Sequence, residues 1–171
     1  MSREAGPKGK AAHGQEQVLA ALRAEGSPLF AVLDAARESR VLRILQRSNH
    51  EYESLYEGPQ GQELAEVAPY LVRLPARSQV LEQLVRGGWG KSWGIFLTST
   101  LPFKETRRHL RKFLKVLDGS SGQQLYFRFY DPRVLRVFLP TCTAEQRAMF
   151  MGPLDCLLLE GEDGALLRFS A

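Results

Sequence analysis

The run LYFRFYDPRVLRVFLP, residues 125–140, changes its hydrophobic period across a single Asp-Pro step, so a chain that carries it must turn a corner there. Before the step, Leu125, Phe127 and Phe129 alternate with Tyr126, Arg128 and Tyr130, and this aromatic period of two predicts a β-strand over 125–130. After it, Asp131 can accept hydrogen bonds from the first free helical N–H groups and Pro132 has its φ already set, so the two start a helix. Val134, Leu135, Phe138 and Leu139 supply the apolar stripe of that helix, and Pro140 ends or bends it. The corner gathers Arg128, Tyr130, Asp131, Arg133 and Arg136, and these are the candidate site residues.

The rest of the chain alternates in the same way. Residues 1–14 are rich in Gly, Ala, Lys and Pro without periodicity and read as a flexible tail. Val18, Leu19 and Leu22 mark a short amphipathic helix, and LFAVLD (residues 29–34) is a strand covered on both faces. A helix follows with Val41, Leu42, Ile44 and Leu45 inward and Arg37, Arg40, Arg43 and Arg47 mostly outward. The stretch 48–69 reads as a loop-rich connection around the turn-forming Gly58-Pro59-Gln60-Gly61. Residues 70–74, set between Pro69 and Pro75, read as a short strand, which suggests an edge or a limited ladder. Ser78 caps a helix that Gly87-Gly88 stops, WGIFLTS (93–99) is a strand, and a basic helix extends from Phe103 to Leu117. Thr143 caps a last helix, and the chain closes in a hairpin around Glu162-Asp163-Gly164.

Strands alternating with helices predict an α/β fold, and the closing hairpin predicts a mixed central sheet flanked by helices. With 171 residues the chain has room for one sizeable core, so residues 15–171 are expected to form a single compact domain.

Several functions are argued against. No run approaches the roughly 18 apolar residues of a membrane span, and the start lacks the apolar stretch of a secretion signal, so a cytoplasmic protein without membrane insertion is expected. Cys142 and Cys156 are too few for a disulfide framework or an all-cysteine zinc site. RGGWGKS (86–92) ends in Gly-Lys-Ser, yet a P-loop needs glycine where Val85 stands and should follow a strand and open a helix; here the order is reversed. His13, His50 and His109 hold no metal-ligand spacing, and no Gly-x-Ser-x-Gly turn places a nucleophile. Neither cofactor nor metal nor catalytic residue is expected, and the chain is read as a non-enzyme. A net charge of +4 permits an acidic partner without requiring one. The basic side of the 103–117 helix (Lys104, Arg108, Arg111, Lys112, Lys115) makes a nucleic-acid-associated protein the alternative reading, though no reading helix or RNA-binding signature accompanies it. At the corner, Tyr and Arg are over-represented in interface hot spots, so these side chains either form a protein-binding surface or brace the junction by pairing with carboxylates.

The ordered set FAVLDAAR (30–37), YESLYEG (52–58), APYLVRL (68–74), GIFLTS (94–99), HLRKFL (109–114) and FRFYDPRVLRVFLP (127–140) resembles the bacterial type VI secretion effector chaperones, also called adaptors of the Tap or TEC type. The resemblance covers residues 29–152, and FRFYDPRVL is its most telling part. It implies a non-enzymatic cytoplasmic adaptor that binds a toxic effector and helps load it onto the spike protein of the injection apparatus. It also implies a compact member of that family, without the larger variable C-terminal lobe of many relatives.

Overall fold

The computed structural model describes residues 7–171. Helix α1 (Pro7–Arg23) starts inside the stretch expected to be a tail; the part of that expectation falling on residues 1–6 lies outside the described residues. Strand β1 (Leu29–Asp34) is buried along its whole length, because it sits in the middle of a six-stranded sheet with helices on both sides. The sheet order is β2 (Tyr52–Ser54), β3 (Pro69–Leu74), β1, β4 (Gly94–Ser99), β7 (Leu154–Glu160), β8 (Leu166–Ser170). The central sheet flanked by helices is as expected, and each of its ladders is antiparallel, so the parallel pairs of a mixed sheet do not form. The physical reason is that β3 is inserted between β1 and β2, and β1 between β3 and β4. Strands β1 and β2, and likewise β3 and β4, therefore run the same way but do not touch.

Period two along β1 sorts the two cores. Leu29, Ala31 and Leu33 face α1, α2 (Ser39–Gln46) and α4 (Gln79–Gly88), where Leu19, Leu22, Val41, Leu45, Leu81 and Val85 meet them. Phe30 and Val32 face α5 (Phe103–Arg111), α6 (Pro132–Thr141) and α7 (Ala144–Met151), through Leu110, Leu135, Leu139 and Phe150. The result is helix, sheet, helix in three layers. Gly94 is required at the start of β4: a Cβ there would lie 2.1 Å from the Val32 carbonyl oxygen.

Four local expectations are overturned in whole or in part. The strand read over 125–130 is only β6 (Gln124–Tyr126), exposed and paired with β5 (Lys115–Leu117) in a separate two-stranded ribbon. Phe127 and Phe129 turn instead into the second core, where Phe127 meets Phe138 edge to face at 4.7 Å and Phe129 meets Phe150 at 5.7 Å. Burying those rings outweighed continuing the alternation. The basic helix ends at Arg111, since Leu114 must reach the core while the chain turns back to form the ribbon. Between residues 48 and 69 lie β2 and helix α3 (Gly58–Glu63), whose first turn is the Gly-Pro-Gln-Gly cluster expected to be a plain turn. Strand β3 is interior and not an edge, although its ladder to β2 is limited to three pairs, as the other reading of its prolines had it; Pro69 is its first residue and Pro75 lies past its end.

Candidate functional site

The corner forms where expected, at the junction of residues 127–131 with α6. Asp131 is the N-cap of α6: its Oδ1 accepts from the Arg133 backbone N–H at 2.9 Å. The Arg133 side chain then folds back on the same carboxylate, Nε donating to Oδ1 at 3.0 Å and Nη2 to Oδ2 at 2.7 Å. Burial alone would push the Asp131 carboxyl up, but the hydrogen bonds and charge of Arg133 outweigh it and hold the group below its usual range.

Arg128 does not pair with Asp131. Its Nη2 donates to Asp34 Oδ2 at the end of β1, while Ala36 N–H donates to the other Asp34 oxygen at 3.0 Å. Its guanidinium also lies 5.9 Å from the Tyr130 ring centre. Tyr130 is buried, and that burial, followed by the neighbouring Tyr56, keeps its phenol protonated well above the ordinary range. Arg136 leans the other way, Nη1 donating to the Glu160 carbonyl at 3.4 Å and Nη2 standing 3.6 Å from Glu162. Its buried Nε has no partner.

The five side chains thus come together but divide by role. Tyr130 and Asp131 are interior and cannot meet a partner directly. Arg136 is mostly covered and ties α6 to the β7–β8 turn. Arg128 and Arg133 keep 47% and 46% of their side-chain surface in solvent while the carboxylates they hold, Asp34 and Asp131, keep 2% and 5%. Each guanidinium is fastened on one side and presented on the other, so less rotamer entropy remains to be lost when something docks on it.

The segment that mimicked a P-loop does hold an anion, the protein's own. The Gly90 N–H (2.5 Å), Ser92 N–H (2.8 Å) and Ser92 hydroxyl (3.1 Å) all donate to the buried carboxylate of Glu160 at the end of β7. Trp89 Nε1 donates to the Gly164 carbonyl at 2.8 Å, so the same loop clamps the closing hairpin. Glycines ending in Gly-Lys-Ser gave the backbone freedom for this cradle, but nothing in the sequence linked it to a glutamate nearly seventy positions on.

The basic side of α5 is partly consumed as well. Arg107, nearly buried, donates to the Ser54 carbonyl and the Glu57 carboxylate, each at 2.8 Å, and Arg111 donates to the Leu55 carbonyl at 2.8 Å and pairs with Glu57 at 2.7 Å. These bonds fasten the β2–α3 connection and leave Lys104, Arg108 and Lys112 as the exposed cations of that helix.

Sequence reasoning missed a second surface. Between α2 and α4, on the opposite layer from α6, an open groove of about 990 Å³ is lined by Arg40, Arg43, Arg47 and Arg77 over a floor that includes Ile44, Val80 and Trp93. The outward arginines of α2 were legible. Their convergence with Arg77, which precedes α4, depended on how the two helices pack.

The chain matches a family model described as a domain of unknown function, DUF4123, over residues 29–149, a span that contains β1 to β6, α2 to α6 and the whole corner. No curated protein and no solved structure matches.

Proposed function

We propose that this chain, which belongs to the DUF4123 family associated with type VI secretion effector adaptors, is itself such an adaptor, binding a toxic effector and helping load it onto the spike protein of the secretion apparatus. It works in the cytoplasm and without bond-making chemistry. The observation that carries the reading is the half-exposed Arg128 and Arg133, each fixed by a buried carboxylate on a rigid strand-to-helix corner. Arginine held in one orientation beside apolar surface is what a protein hot spot requires. Exposed Val137 on α6 supplies apolar surface on the same helix.

An adaptor needs two recognition surfaces, and two candidates on opposite layers of the sheet support the reading: the corner with α6, and the groove between α2 and α4. The nucleic-acid reading draws less support, because Arg107 and Arg111 on the basic helix are spent on Glu57. The test is co-expression of the tagged chain with a candidate effector and spike protein, followed by purification. Retention of the effector, alone or with the spike, is expected; a chain that emerges with neither overturns the reading, and one that emerges with the spike alone removes its cargo half.

A further inference from the structure

The groove between α2 and α4 carries a charge pattern that the rest of the molecule does not use. Arg40, Arg43 and Arg47 stand three and four positions apart on α2 and so share one face of it. Arg77, from the connection before α4, meets them across the opening. Among the described residues no carboxylate lines the groove, and Arg43, Arg47 and Arg77 form no ion pair. Only Arg40 has a carboxylate near, Glu38 at 3.9 Å, and its guanidinium lies 5.2 Å from the Trp93 ring centre. A cation at the end of α2 is explained by the helix dipole. Arg77 belongs to no such end, and four like charges facing one space cost repulsion unless something negative enters it.

The floor says what kind of negative partner fits. Half-buried Ile44 gives the floor its accessible apolar surface, and nearly buried Val80 and Trp93 back it beneath the guanidinium rim. The wall formed by α2 is about 12 Å long, from eight residues at 1.5 Å rise. A free ion would leave most of that volume unfilled, and a nucleic-acid backbone would bring phosphates without aliphatic side chains for the floor. A polypeptide segment with carboxylates on one side and aliphatic residues on the other satisfies both. The His50 Nε2 to Ser78 Oγ bond of 2.5 Å joins the two walls, and Ser78 also caps α4, so the groove is held open by its own framework.

We propose that this groove receives an acidic, amphipathic segment of the effector, leaving the corner on the opposite layer free for the spike. This rests on the adaptor reading for the identity of the partner, whereas the groove's preference for acidic polypeptide can be measured without it.

The probe is a short fluorescein-labelled peptide with glutamate and leucine at helical spacing, read by anisotropy against the full chain. Its counterpart with lysine in place of glutamate and a single-stranded DNA oligonucleotide are run beside it. The acidic peptide is expected to bind, more weakly as salt rises, and to lose roughly tenfold or more in affinity in Arg43→Glu/Arg47→Glu. Arg43→Gln/Arg47→Gln, gentler on the end of α2, is expected to show a smaller loss in the same direction. The equal charge change in Lys104→Glu/Arg108→Glu, outside the groove, should leave binding nearly unchanged.

Equal losses in both charge-reversed variants, no binding of the acidic peptide, or tighter binding of the oligonucleotide each overturn the proposal. In co-purification, an effector retained equally by wild type and the Arg43/Arg47 variants removes the groove while leaving the adaptor reading intact. An effector retained by neither removes the adaptor reading, and the peptide measurement still decides the groove.

Discussion

At the scale of single residues, the molecule repeatedly buries one charge and leaves its partner half in water. Asp34 with Arg128 and Asp131 with Arg133 follow this rule, as does Glu25 with Arg168 on the other layer. Such pairs act asymmetrically: removing the arginine strands a carboxylate that has little access to water, while the arginine released by the reverse change is readily solvated. His109 is the residue whose titration follows most directly from packing. It is nearly buried, its Nε2 lies 2.8 Å from the Phe150 carbonyl, and burial, against the pull of that bond, lowers its pKa from the ordinary 6.5. A histidine depressed in the folded state contributes stability that is present above its unfolded pKa and is lost as pH falls below it. The melting temperature should therefore drop between about pH 7 and pH 5, and His109→Gln, which can still donate to Phe150, should flatten that drop. Parallel melting curves for the two proteins would show that His109 takes no part in it.

At the scale of elements, the loop between α4 and β4 and the corner before α6 both end on β7. Glu160 fills the loop's cradle with its carboxylate and offers its carbonyl to Arg136, so one strand end fixes two connections. Glu160→Ala would leave the Gly90 and Ser92 amides without their acceptor, at a cost of about 1–3 kcal/mol. Amide hydrogen exchange should then accelerate at both positions while α2 and α7 keep their protection; unchanged exchange at Gly90 and Ser92 would mean the cradle holds itself. The difference between what sequence reveals and what it hides is clear in these same elements. LFAVLD is a strand because six successive residues are buried on both faces, the Asp-Pro start of α6 and the Thr143 cap of α7 are local chemistry, and all three were legible. The aromatic run 125–130 was misread because alternation records only that some residues turn inward, not whether a sheet or a knot of rings receives them. At the site, the five corner residues stand close together in the sequence, but Asp34 and Glu160, which hold Arg128 and the glycine loop, are distant from them and were not legible. The arginine groove escaped for the same reason, since it exists only between two packed helices.

At the scale of the whole molecule, helices on both faces of one sheet give two sides with different surfaces. One side carries a cationic groove with an apolar floor, the other a corner whose arginines are locked before any partner arrives. Side chains fixed in advance lower the ordering cost of association, which would suit the proposed adaptor. The proposed adaptor role would require two partners to be held apart, and the sheet sets the groove and the corner on opposite sides. The central claim, that the fixed arginines of the corner are a docking face, is tested most directly by the dissociation constant of the corner's partner for the wild-type chain and for Arg133→Gln. That substitution leaves the Arg133 backbone N–H on Asp131, so α6 stays capped, but it takes the countercharge from a buried carboxylate, so the melting temperature should fall by several degrees with the chain still folded at the temperature of the binding measurement. The account predicts about tenfold weaker binding or more by the variant. Equal dissociation constants for two equally folded proteins would contradict it.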